Sequence, residues 1–320
     1  MNPVFEAIRD NGVIPALKVF SADEAVAAVK ALMAGGFTAA EFVCREAVDA
    51  EAIKAVKAAF PAFTAGAGSI ISKEGADLAV SAGADYISTL GYECSLVKYC
   101  SDKDVAVIPG IASVADMIRA YGLGIKVVKA YPICTLGGND FIKMVMGSMP
   151  DMKLVCEGLT DDSAAGEYLR NMNVLGVTNF HIACPDLIKA GKFDEITKAA
   201  EKAIADAIDF KLFHVGINMP DEPSAQEVAD KYIDLFHLGR REVPESIFGD
   251  FAVEIMKAPG RGAMGHIGFY GNSVNMAIHY LEQKGLTRVT PQTFNAYDRS
   301  PISYFNEEIG GFAVHVSQRA

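Results

Sequence analysis

The 320-residue sequence lacks any run approaching the roughly 18 consecutive apolar residues of a membrane span. Its start, MNPVFEAIRDNG, is charged and has none of the apolar stretch of a secretory leader, so neither an integral membrane protein nor a secreted one is expected. Clusters of five or six lysines and arginines are also missing. With 29 basic residues against 40 acidic ones and a formal charge of −11, no segment offers a phosphate-tracking surface, and no nucleic acid partner is expected. No C-x-x-C pair occurs among Cys44, Cys94, Cys100, Cys134, Cys156 and Cys184. Free thiols, mostly filling cores, in a reducing cytoplasmic compartment are expected rather than a disulfide framework. No G-x-G-x-x-G follows the first strand-like run, which argues against a dinucleotide-binding open sheet.

What is present is apolar enough, at 51% hydrophobic residues, to build a sizeable core. Two residue types are unevenly spread. Cysteine is absent after Cys184, whereas five of the six histidines (His214, His237, His266, His279, His315) follow residue 213. Near 205–211 the helical FDEITKAAEKAIADAIDF gives way to the strand-like KLFHVGI, which predicts two domains, 1–208 and 209–320.

Before that joint, short apolar runs alternate with Ala-rich amphipathic segments: GVIPALKVF, AAEFVCR, FTAGAGSII, YISTL, VAVIPGI, IKVVKAYP, KLVCEGL and VTNFHIAC are each followed by a helix candidate. Runs apolar on both faces suit a parallel sheet covered by helices, and eight such units predict an α/β fold, a (β/α)8 TIM barrel. A doubly wound open sheet is the alternative.

Reacting groups of such barrels sit at the C-terminal ends of strands, so charged residues inside apolar strands draw notice: Glu41, Arg45 and Lys129. The period of two puts Glu41, Val43 and Arg45 on one face. Lys129 ends IKVVKAYP on the face of Ile125 and Val127, where desolvation predicts a lowered pKa. Such a lysine attacks carbonyls to form a Schiff base, and Glu41 suits the proton shuttle that this chemistry requires. The same two residues also suit a plain ion pair at the barrel mouth.

AGGFTAAEFVCRE, GAGSI, IPGIAS, YGLGIKVVKAYP followed by GG, and AGKFDEITKAAEKA, in that order, resemble the 2-keto-3-deoxy-6-phosphogluconate / 4-hydroxy-2-oxoglutarate aldolases along the whole stretch before the joint. The resemblance implies a class I aldehyde-lyase that needs no cofactor and releases pyruvate and an aldehyde from a 2-keto-3-deoxy acid. It implies Lys129 as the Schiff-base lysine, Glu41 as the acid/base, and Arg45 with Ser69 as the clamp for the substrate carboxylate. Pro109 and Gly158 join them as substrate-binding positions. It also implies a small-molecule partner and a homo-oligomer, a trimer. Two departures stand out. Where the phosphate-binding turns would be glycine-rich, VCEGLT carries Glu157, and HIACPDL carries Cys184 and Pro185. Those turns therefore predict that an unphosphorylated 2-keto-4-hydroxy acid is cleaved at least as efficiently as its 6-phospho analogue.

After the joint, FHVGIN at 213 echoes GHIGFY at 265, and FAVEI at 251 echoes FAVHV at 312, each pair around a helical segment. This predicts two copies of a βαβββ-type unit. His214, His266, Glu254 and His315 occupy the matched positions and together form a ligand set for a divalent transition ion. The helical His237 and His279 read as exposed face residues. This tail resembles the vicinal-oxygen-chelate (glyoxalase-like) superfamily, with His315 where a glutamate is commoner. A metal-free oligomerisation or ligand-sensing module, attached to a 2-keto-3-deoxy-6-phosphogluconate aldolase proper, is the alternative.

Overall fold

The computed structural model describes residues 2–45, 47–103, 105–294 and 301–319. The chain divides into two compact units, Met1–Ala207 and Ile208–Ala320.

The first unit is a parallel sheet of β1 (Val13–Leu17), β2 (Ala39–Val43), β3 (Thr64–Ile70), β4 (Tyr86–Thr89), β5 (Ala106–Ile108), β6 (Gly110–Ile111), β7 (Val127–Ala130), β8 (Lys153–Cys156) and β9 (Val174–Asn179). Neighbours run in the order β5-β4-β3-β2-β1-β9-β8-β7-β6. β5 and β6 are one strand broken at Pro109, the lower part pairing with β4 and the upper part with β7, so the sheet closes into an α/β barrel. All eight strand runs expected from the sequence appear. VTNFHIAC is displaced: the strand ends at Asn179, and the rest is turn.

Serine caps show why the helices start where they do. The side chains of Ser21, Ser72 and Ser113 accept from the amides of Glu24, Gly75 and Asp116, each the third residue into its helix. The N-terminal segment forms a helix, Pro3–Asn11, whose Ile8 plugs the barrel floor. There it packs with Ile14, Tyr86, Ile108, Val127, Val155 and Leu175. Two residues further along the respective strands, the next inward layer is polar: Ser88 follows Tyr86, Lys129 follows Val127, and Glu157 follows Val155. The layer above the apolar floor is therefore where chemistry can sit. The cysteines correct the expectation of core filler: Cys100 and Cys156 are buried, but Cys94 and Cys134 are exposed.

The second unit contains β10 (Lys211–Asn218), β11 (Arg240–Glu242), β12 (Ser246–Gly249), β13 (Val253–Met256), β14 (Gly265–Gly271), β15 (Thr293–Phe294), β16 (Pro301–Ile309) and β17 (Phe312–Gln318). Its order is β11-β12-β13-β10-β14-β17-β16-β15. β10 pairs in parallel with β13 as β14 does with β17, and the remaining pairings are antiparallel in both halves. The helices Glu222–Phe236 and Val274–Gln283 occupy equivalent places. Two βαβββ modules thus meet along the antiparallel β10–β14 edge. Ala225 and Ala229 of the first helix bring it close onto Ile247 and Ile255. Among the described residues, no helix is long and apolar enough to cross a membrane.

Candidate functional sites

In the barrel, Lys129 Nζ lies 2.6 Å from Glu41 Oε1 and 3.0 Å from Glu157 Oε2. All three residues are buried. Two neighbouring strands supply the lysine and Glu157, since Lys129 registers with Val155 and Ala130 with Cys156. Glu41 crosses from β2, and the sequence of β3 explains how it fits. A side chain at Gly68 would collide with the Glu41 carboxylate, and one at Gly66 with the Tyr86 ring. The TAGAGSI strand is glycine-rich because its inward positions are filled by neighbouring side chains.

Burial drives the Glu41 carboxyl upward; the Lys129 ammonium pulls it back, and the Glu157 carboxylate pushes it up again, so the outcome is raised. Burial alone lowers the Lys129 pKa, but Glu41 and Glu157 outweigh it and hold the ammonium above the ordinary lysine value. This corrects the sequence expectation of a depressed lysine: desolvation is present, and two carboxylates reverse it. Tyr86, buried on β4, has its pKa driven up by burial and by the neighbouring Glu41 carboxylate, which its hydroxyl approaches. Ser88 Oγ is buried with no hydrogen-bond partner among the described residues.

Arg45 lies beyond the end of β2, with its side chain exposed, so the strand-face grouping of Glu41, Val43 and Arg45 stops at Val43. A carboxylate turns the chain there: the Arg45 amide donates to Asp49 Oδ2 at 2.8 Å. Arg45 and Ser69 nevertheless share the lining of a cleft of about 550 Å³. Ser69 adopts φ 60° where the β3–β4 register slips, a left-handed conformation that costs energy for a non-glycine residue. Pro109 and Gly158 act through backbone: the Pro109 carbonyl accepts from the Lys129 amide at 2.9 Å, and Gly158, at φ 84°, packs on Pro132.

Glu157 sits at the centre of the pit instead of in a phosphate-binding turn, which corrects the reading of VCEGLT. Tyr86 was not singled out from sequence either, because a tyrosine inside an apolar run looks like core. The second turn is closed in another way. The amides of His181 and Ile182 both donate to Asn179 Oδ1, at 2.8 and 3.0 Å, and the His181 ring meets Asp162 Oδ2 at 2.5 Å.

In the second unit all four singled-out residues converge and are buried. His214 Nε2 is 2.9 Å from His266 Nε2 and 3.2 Å from His315 Nε2. Glu254 Oε2 stands 3.1 Å from His266 Nε2 and 3.3 Å from His214 Nε2, while Ser246 Oγ donates to Glu254 Oε1 at 2.6 Å. The H-x-G pattern of both modules now has a reason. A side chain at Gly216 would strike the His266 ring, and one at Gly268 would strike His315 and His214.

Burial, offset by Glu254 and reinforced by His266, lowers His214 to about 4. Burial and the neighbouring imidazoles push His315 well below its usual value. Glu254 is pushed up by burial but held below the ordinary range by hydrogen bonds from His266 and Ser246. Neutral imidazoles carry one lone pair each, and a single N–H cannot serve all the close contacts among these nitrogens. Ligands bound at about 2.0–2.2 Å to one tetrahedral ion stand roughly 3.3–3.6 Å apart, close to these separations. The donor set therefore fits a divalent transition ion. His237, which caps its helix at φ 54°, is exposed, whereas His279 is half-buried against the expectation of an exposed face, beside Gln283 Nε2 at 2.9 Å.

A buried lysine between carboxylates in the polar layer of a parallel α/β barrel places the first unit among the barrel aldolases. The chain belongs to the KDPG and KHG aldolase family, whose model matches residues 4–199. It is 30% identical over 204 residues to the 2-dehydro-3-deoxy-phosphogluconate aldolase of Treponema pallidum, covering 64% of this chain and 97% of that one. It is 28% identical over 203 residues to the KHG/KDPG aldolase of Escherichia coli K12, covering 63% and 95%. Among solved structures, the KDPG aldolase of Legionella pneumophila, with pyruvate captured as a covalent carbinolamine, superposes with a TM-score of 0.60 at 26% identity, covering 62% and 97%. The matched segment stops short of the second unit.

Proposed function

We propose that the barrel is a class I aldolase cleaving a 4-hydroxy-2-oxo acid of the 2-keto-3-deoxy type to pyruvate and an aldehyde, with Lys129 as the imine-forming residue. The contact of Lys129 Nζ with Glu41 Oε1 at 2.6 Å carries this reading. The resting ammonium passes a proton to Glu41, whose raised pKa suits it to hold one, and the freed amine attacks the C2 carbonyl. Glu41 returns that proton to the departing hydroxyl, and water leaves as the protonated imine forms. The cationic nitrogen then accepts the electron pair of the breaking C3–C4 bond while Glu41, directly or through one water, takes the C4 hydroxyl proton. The aldehyde departs, protonation at C3 completes the pyruvyl imine, and hydrolysis restores Lys129. Arg45 and Ser69 hold the substrate carboxylate, and Pro109 and Gly158 line the approach. Pyruvate with borohydride should fix a reduced adduct on Lys129, read by peptide mass. Adduct formation in Lys129→Ala would overturn the assignment.

An unphosphorylated substrate follows from the spent amides of His181 and Ile182 and from Asp162 beside them. The aldolase should cleave it at least as well as its 6-phospho analogue, and a tenfold preference for the phosphate would reverse this. For the second unit, His214, Glu254, His266 and His315 would hold one divalent transition ion, which when bound supplies Lewis acidity toward chelating oxygens. About one ion per purified chain is expected by elemental analysis, given that a tetrahedral donor set binds one ion. A homo-oligomer, trimeric as the resemblance implies, completes the proposal, and sedimentation tests it.

A further inference from the structure

We infer that Glu157 is a second catalytic carboxylate of the barrel, the fixed counter-ion of the Lys129 nitrogen, which leaves Glu41 free to move protons. This rests on the Schiff-base reading above and divides its labour between two residues. The nitrogen of Lys129 is cationic twice in that cycle, as the resting ammonium and as the protonated imine. A mobile proton carrier that is also the only counter-ion would neutralise itself at the moment the charge most needs a partner.

The pit separates the two tasks. Glu157 Oε2 stands 3.0 Å from Nζ, in addition to the 2.6 Å contact of Glu41. Its backbone is tied to the lysine strand, since the Glu157 amide donates to the Ala130 carbonyl at 3.1 Å and its carbonyl accepts from the Ile133 amide at 2.8 Å. Glu157 therefore moves with Lys129, whereas Glu41 reaches across from β2. The other groups facing the pair are Tyr86 and Ser88 from β4. Around Glu41 on the β2 side lie Cys44 and the Lys18–Asp49 pair, which is 3.3 Å apart. Of these, only Lys18 brings a second positive charge, and Asp49 holds it.

The test compares the wild type with Glu157→Gln and Glu157→Asp by two readouts, the pH profile of kcat/KM and the fraction of Lys129 trapped by borohydride with saturating pyruvate. Removing the charge beside Lys129 and Glu41 lowers the pKa values of both, so the acid limb in Glu157→Gln should move to lower pH by about 1 unit or more, the usual effect of a charge at this range. Its kcat should fall about tenfold or more through loss of an electrostatic stabiliser of the developing charge, and the trapped fraction should fall with it. Glu157→Asp keeps the charge and should hold the limb in place while recovering part of kcat. An unmoved limb in a folded Glu157→Gln, or, where that variant does not fold, a Glu157→Asp limb displaced by 1 unit, would overturn the role. Absence of any wild-type adduct would instead overturn the Schiff-base reading itself.

Discussion

Two buried polar clusters, one per unit, are built by the same device and arrive at opposite electrostatics. Each lies on strands, and each is admitted by glycine, Gly68 beneath Glu41 in the barrel and Gly216 and Gly268 beneath the imidazoles of the second unit. In the barrel the cation is part of the chain: Lys129 answers Glu41 and Glu157, and every member of the triad has an oppositely charged partner. In the second unit the chain supplies three imidazoles and a carboxylate whose donor atoms crowd one centre. A cluster that contains its own cation is complete and reactive by proton movement. One made of three imidazoles and a carboxylate holds no fixed cation of its own, and the proposed divalent ion would supply it. Burial raises the stakes for both, because the low local dielectric penalises any member left unpaired.

The comparison breaks most visibly at Glu41. Glu41→Gln should still yield the borohydride adduct on Lys129 at saturating pyruvate, only more slowly, yet lose turnover by about 10²- to 10⁴-fold, the range for a proton shuttle, while leaving the metal content of the second unit unchanged. The reverse experiment removes the other cluster. His214→Ala combined with His266→Ala should take bound metal from about one ion per chain to near none, since two of four ligands are lost, with pyruvate release intact. Loss of pyruvate release in that double variant would show that the two clusters are not independent.

The glycine device gives a finer comparison. Gly68→Ala should cost about 1–3 kcal/mol in denaturant titration, as overpacking of a tight site does, and should slow the aldolase. Gly216→Ala should carry a similar cost but lower metal retention instead. Equal damage to both functions by either variant would deny that each glycine serves its own cluster.

The smallest effect concerns thiols. Burial, together with the Asp49 and Glu41 carboxylates, pushes Cys44 up to about 12, so below that pH it stays a protonated, poorly nucleophilic thiol. Iodoacetamide at pH 8 should modify the exposed Cys94 and Cys134 while sparing Cys44 and the buried Cys156, as read by peptide mass. Rapid labelling of Cys44 would mean that the Glu41 side of the pit is open to solvent.

Much of this was legible because strand periodicity and charge carry it. A lysine on the inner face of an apolar strand has to be compensated, and the echo of FHVGIN in GHIGFY sets His214 and His266 at symmetric positions in the sequence itself. Arg45 escaped the face rule because the strand ends at Val43, where Asp49 turns the chain through a hydrogen bond that a period of two cannot announce. The turn in which Glu157 stands hides its role in the sequence, although its side chain follows the inward phase of Val155. Counting two residues on from Val155 would have found it. The H-x-G pattern was also readable, but a glycine that makes room for another strand's histidine has meaning only once the partner strand is known. The direction of the Lys129 shift needed the second carboxylate, which sits 28 positions away in sequence and adjacent only in the closed barrel.

The edge shared by β10 and β14 has a kinetic consequence. Each module contributes two of the four converging side chains, His214 and Glu254 from one and His266 and His315 from the other, so neither forms a complete centre alone. Held on separate polypeptides, the halves would have to find each other, and loading would depend on protein concentration. Joined in one chain, they meet at an effective concentration set by the short connection from β13 to β14, on the millimolar scale typical of short linkers. The second unit is in this sense a tethered dimer, in which dilution does not separate the halves of the proposed ligand set.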